Sequence, residues 1–201
     1  MSPGAHFIGS WLIGSVVTKT PRDRKLIALA GILPDLDGLG MVVDLTLGIF
    51  SGAPTTYHYY HKFHHILCHG WPAALVICGL LTCFAINRWR TFGFCLLTFH
   101  LHLLCDLLGS RGPSSADLWP ICYGEPLFRQ PVWFWKGQWR LDGWQNLTIF
   151  VFVFFGSLWR SVRLGNSFVE VFSRKADEVF VRVLKKWGAA LPFARQNPNE
   201  L

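Results

Sequence analysis

The sequence is short of charge: Asp, Glu, Lys and Arg make up 15% of its 201 positions, against about 25% in an ordinary soluble domain. It has six cysteines (Cys68, Cys78, Cys83, Cys95, Cys105 and Cys122) but no C-x-x-C pair, which excludes a zinc ribbon or a thioredoxin-like redox motif. Most of these thiols lie in apolar segments, where a free cysteine behaves as a small hydrophobe. No G-x-S-x-G elbow, P-loop or G-x-G-x-x-G occurs, so nucleophile-elbow, Walker-type and dinucleotide chemistries have no support. Internal repeats and low-complexity tracts are also missing. The start, MSPGAHFIGSWLIGSVVTKT, lacks a basic leader and places His6 just before its apolar run; a cleaved signal peptide is not expected.

What is present is apolar. Hydrophobic residues reach 51%, with 17 Phe, 10 Trp and a mean hydropathy of +0.31. That balance places the chain in or against a bilayer. The net charge of +7 is not gathered on one groove-reading helix. It falls in short groups: Lys19, Arg22, Arg24 and Lys25; then Arg88 and Arg90; then Arg160, Arg163, Arg174, Lys175, Arg182, Lys185 and Lys186. Such groups between apolar runs are the mark of membrane-flanking loops, and nucleic acid is not an expected partner.

The apolar stretches 71–86, 92–108 and 144–159 are expected helical spans. They are thin ones, since 17 helical residues reach about 25 Å of a ~30 Å hydrocarbon core. Stretches 7–17 and 26–33 are shorter and read as half-depth or bundle-packed helices, and 39–50 is interrupted by Asp44. Arg88 and Arg90 form the tip of a helical hairpin. With basic tips on the cytoplasmic side, residues 19–25, that tip and the segment after 159 share one side; His6, the Pro34-Asp35-Leu36-Asp37 turn, residues 58–69 and Asp106 share the other. The expected fold is all-α, a membrane-embedded helical bundle over 1–160 with a metal site at one end. A basic C-terminal tail (161–201) follows, with an amphipathic helix at about 167–187 suited either to an anionic surface or to packing on the bundle.

All eight histidines precede residue 103: His6, His58, His61, His64, His65, His69, His100 and His102. Asp35 and Asp37 lie in that stretch, and Asp106 follows it by four residues. Histidine and aspartate are costly in apolar helices unless paired or metal-bound. His102 and Asp106 are four apart, so they project from one helical face with Cβ atoms about 6 Å apart. Antiparallel pairing around the Arg88/Arg90 tip brings His69 to the Asp106 end. His64 and His65 lie about one turn earlier, and Asp35 and Asp37 reach that end by the threading above. Several segments delivering His and Asp to one end of a bundle is a metal-site pattern.

At these residues the sequence resembles the YdjM-like membrane-bound metal-dependent hydrolases: a His near the start, then GILPDLDG, HHILCHG, HLLCD and LWP, over about residues 1–125. More distantly it is similar to the all-helical zinc-dependent phospholipase C fold. The resemblance implies His6, Asp35, His64, His69, His102 and Asp106 as metal ligands, with Asp37 or Asp35 as general base and a divalent ion, zinc foremost, as cofactor. It implies the bacterial inner membrane, with the threading placing the site on the non-cytoplasmic side. The family pattern usually has His-Arg and His-Ser where this chain has His64-His65 and His69-Gly70, so an anion-binding guanidinium and a hydroxyl are missing. His58, His61 and His100 fall outside the pattern. Asp117 and Glu125, in the loop after the His102 helix, are weaker candidates to reach the site.

The expected function is a metal-dependent hydrolase acting on a phosphoester or lipid-like ester, with membrane lipids and a small or lipid substrate as partners. The alternative is a non-catalytic membrane protein whose residues bind, transport or structurally hold a metal. Closed structural zinc sites commonly use four ligands, and at least six candidates here favour an open site.

Overall fold

The computed structural model describes residues 1–52, 57–64 and 66–190. Eight α-helices carry the described fold: α1 (Pro3–Val17), α2 (Pro21–Ala30), α3 (Gly40–Ser51), α4 (His58–Phe63), α5 (Trp71–Cys83), α6 (Arg88–Gly109), α7 (Trp144–Leu164) and α8 (Arg174–Ala190). A 3-10 segment, Leu33–Leu39, joins α2 to α3, and another, Phe168–Val171, lies between α7 and α8. A two-stranded antiparallel ribbon, β1 (Ile121–Cys122) with β2 (Val132–Trp133), interrupts the loop between α6 and α7. Proline in the first turn starts α1, α2 and α5, where its fixed φ fits and its missing N–H costs nothing. The all-α expectation holds.

Among the described residues two helices, α6 and α7, are long and apolar enough to cross a membrane. The expected span at 71–86 is corrected: α5 is 13 residues, about 20 Å at 1.5 Å per residue. It stops because the chain is captured beyond it. The buried Asp23 carboxylate accepts hydrogen bonds from the Ile86 and Asn87 amides at 2.7 and 3.0 Å and from the Asn87 side chain at 3.2 Å. Conversely, the two short stretches before and after the Asp35–Asp37 turn combine. α2 and Leu33–Ser51 are together long and apolar enough to cross a membrane as one path bent by 48°.

α1 packs on α2 and α7, and α5 and α2 pack on α6. One core joins Ile27, Ala30, Ala74, Cys78, Cys95, Phe99 and Leu103; the other centres on Trp11 with Phe7, Ile8 and Ala28. All six cysteines are free. The Asp23 hydrogen bonds put residues 19–25 beside the Arg88/Arg90 tip. Arg160 of α7 donates to the Ser15 carbonyl at 2.6 Å near the end of α1. Three basic groups therefore gather at one end of the bundle, and the His/Asp residues at the other. Arg24 is no flanking charge, however. It is 1% exposed, donating from Nε and Nη2 to Glu170, which also accepts from Trp11 Nε1 at 3.0 Å.

Candidate metal centre

α6 presents Cys95, Thr98, Phe99, His102, Leu103 and Asp106 to the bundle as one buried stripe, the spacing a 3.6-residue helix gives. His102 Nδ1 lies 2.8 Å from the Gly31 carbonyl. A carbonyl only accepts, so Nδ1 carries the proton and Nε2 is left with a lone pair. Gly31 is needed there: a Cβ would meet Ser10 Oγ at 1.7 Å, so any side chain would force α1 and α2 apart and move this carbonyl.

Nε2 of His102 lies 3.1 Å from Asp106 Oδ2 and 3.6 Å from Asp35 Oδ1. His69 Nε2 lies 3.7 Å from Asp106 Oδ2. One ligand atom from each of Asp35, His69, His102 and Asp106 falls within 4.8 Å of the others. A tetrahedral zinc with ligands at ~2.0–2.2 Å separates them by about 3.3–3.6 Å, and the three observed distances, from 3.1 to 3.7 Å, bracket that range. Among the described residues, Nε2 of His102 and Oδ2 of Asp35 are buried without a hydrogen-bond partner. Such atoms are costly in a protein interior unless something polar or cationic meets them. This donor set, two imidazoles and two carboxylates, fits a divalent ion, and its charge balances one.

Asp37 is 5% exposed and sits behind the cluster. One oxygen accepts from His64 Nδ1 at 2.8 Å; the other accepts from His69 Nδ1 at 2.9 Å and from the Cys68 amide at 3.1 Å. It fixes the tautomer of His69 so that Nε2 faces Asp106 and His102, the arrangement that orients metal-ligating imidazoles. Burial disfavours a charged His69, but the nearby Asp106 carboxylate and the hydrogen bond to Asp37 outweigh it and raise its pKa to about 9 in the metal-free protein.

The expected site residues thus converge, at different depths. His6 stacks on His102, ring centroids 3.8 Å apart, and its Nε2 meets Asp106 Oδ1 at 3.3 Å, on the far side of that carboxylate from the cluster. Burial lowers its pKa. The Met1 amino group also donates to Oδ1 and lies 3.0 Å from Ser110 Oγ. His64 reaches the centre through Asp37, in a second group with His69. His58 is exposed, and His100 is engaged with the Leu96 carbonyl and the Tyr123 hydroxyl at 2.8 and 2.7 Å. His65 and the side chain of His61 lie outside the described residues. Asp117 accepts from the Ser114 amide within its own loop, and Glu125 faces Arg129; neither joins the cluster. Gly70 leaves no room for the usual serine, since a Cβ there would come within 2.2 Å of the Glu125 carbonyl.

The cluster opens into a cavity of about 300 Å³. Asp35, Tyr60, His64, Asp106 and Ser110 are its polar lining; Leu39, Met41, Val42, Trp119 and Leu141 are apolar walls. Tyr60, missed in the sequence, stacks on His64 with ring centroids 4.5 Å apart. Burial and three nearby aspartates push its phenol up to about 12, so it remains a neutral donor.

The sequence model of the YdjM inner membrane protein family matches residues 1–168, and the chain belongs to that family. No curated protein and no solved structure matches it.

Proposed function

We propose that this membrane protein is a metal-dependent hydrolase whose centre is built by His69, His102, Asp106 and Asp35. One observation carries the reading: among the described residues two buried polar atoms of that cluster, His102 Nε2 and Asp35 Oδ2, have no hydrogen-bond partner, and the cluster's two carboxylates, Asp35 and Asp106, line an open cavity rather than a closed shell. Zinc held there would polarise an ester oxygen and lower the pKa of water toward ~7. Asp35 lines the cavity and is the proposed general base, taking a proton on Oδ2. Both oxygens of Asp37 are committed to His64 and His69, which suits it to positioning them. Tyr60 donates a hydrogen bond to substrate from the cavity wall. The apolar walls suit an amphipathic ester, with its polar group at the carboxylates and its chain along Leu39, Met41 and Val42. The three basic groups at the opposite end support a non-cytoplasmic site; a reporter fused after residue 190 and found outside the cytoplasm would contradict that side.

Purified protein loaded with zinc is expected to hydrolyse a phosphodiester or acyl-ester lipid, and Asp35→Asn to lose at least about 100-fold of that rate, the scale of general-base catalysis. Zinc binding without turnover of either ester class would favour the metal-binding or scaffold reading instead.

A further inference from the structure

Helix α8 carries more apolar surface than the bundle covers. Asp177 and Val181 are its buried residues, with Phe180 and Leu184 half-buried beside them. At 100° per residue the apolar sector continues round the helix to Ala176, Val179, Val183 and Trp187, all exposed. Lys175, Arg182 and Lys186 border that sector on the side away from the bundle. The exposed ionic groups of α8 are Arg174, Lys175, Arg182, Lys185 and Lys186 against Glu178 alone, and Arg174 already pairs with Glu178 at 3.2 Å. This is a wide apolar face with a cationic rim, the form of helices that lie in a membrane interface.

Its place in the fold agrees. α7 is one of the two membrane-length helices. Its last turns carry exposed Trp159 with the Arg163 guanidinium 4.4 Å over the ring, and aromatic and basic residues concentrate at the membrane–water boundary. Asp177 accepts from the Ser167 amide at 2.8 Å and from its hydroxyl, which fixes α8 directly after that boundary. We propose that α8 lays the Val179/Val183/Trp187 sector into the headgroup region of an acidic leaflet, with Lys175, Arg182 and Lys186 meeting lipid phosphates. Continuity with the spanning helix and the excess of exposed positive charge, five basic residues to one acidic, favour acidic phospholipid over a protein partner.

The test uses the full chain in lipid nanodiscs, with a nitroxide on Val183→Cys and the exposed native thiol removed by Cys83→Ser. Power saturation is read with oxygen and with a water-soluble nickel chelate. In discs containing phosphatidylglycerol the label is expected to favour oxygen. In phosphatidylcholine discs the buried population should drop by about fivefold for each basic side chain deprived of an acidic headgroup, the factor given by ~1 kcal/mol per basic residue near an acidic surface. Arg182→Glu with Lys186→Glu, both on the exposed side, should remove the lipid dependence while Asp177 still holds the helix. Nickel access in both kinds of disc would overturn the proposal, and equal burial in both would overturn its acidic-lipid specificity.

Discussion

Asp37 gives one oxygen to His64 and the other to His69, whereas Asp35, two residues earlier, turns its carboxylate to His102 and the cavity. Asp37→Asn should therefore weaken metal binding by about 10–100-fold, as removal of an orienting partner does, without abolishing it; competition with a chelator reads the difference. The sign of the pH dependence follows from His69. Its folded pKa is raised from 6.5 to about 9, so the stabilisation from its protonated form is complete below 6.5 and is lost as pH rises through 9. In that window a metal must expel the proton, because only the neutral imidazole ligates. Metal affinity is expected to climb between pH 6.5 and 9, by at most tenfold per unit, with proton release visible by calorimetry in buffers of different ionisation enthalpy. Affinity that is flat over this range would contradict the role of His69. The His102–Asp106 pair was legible from its i,i+4 spacing, and His69 from the hairpin. The division between Asp35 and Asp37 was not, because a 3-10 turn sends neighbouring side chains to partners that spacing alone does not name.

At the scale of elements, α5 and α6 place His69 beside Asp106, and Asp23 holds the other end of that hairpin. α1 and α2 lie on α6 with Gly31 at their close approach, and Glu170 secures both: it binds Arg24 of α2 and Trp11 of α1. Glu170→Ala leaves the Arg24 guanidinium buried and uncompensated. A loss of about 3–5 kcal/mol is expected, seen as a lower thermal midpoint in detergent, with Arg24→Met/Glu170→Met recovering most of it. A single variant with unchanged stability would show the ion pair to be dispensable. The sequence hid this pair: Arg24 sits in a run of basic residues that reads as a solvated loop, and Glu170 lies 146 positions away. The three apolar runs were legible as helices, but α5 proved too short to span because Asp23 captures the chain at Ile86 and Asn87.

As a whole, the molecule joins a basic end to a polar, cavity-bearing end through membrane-length helices. That polarity was legible from the order of the basic groups and from the confinement of histidine to the first 102 positions. The chain beyond Asp106 contributes anchoring rather than cluster ligands: Asn146 at the start of α7 donates to the Gly109 carbonyl at 2.7 Å, and Asp177 fixes α8. The central claim is that this polar end holds a divalent ion. Elemental analysis of the detergent-extracted protein tests it most directly, with Asp106→Ala and His58→Ala beside the wild type. Bound zinc or another divalent ion is expected in the wild type and in His58→Ala and not in Asp106→Ala. A folded Asp106→Ala protein with the wild-type metal content would contradict the proposed centre.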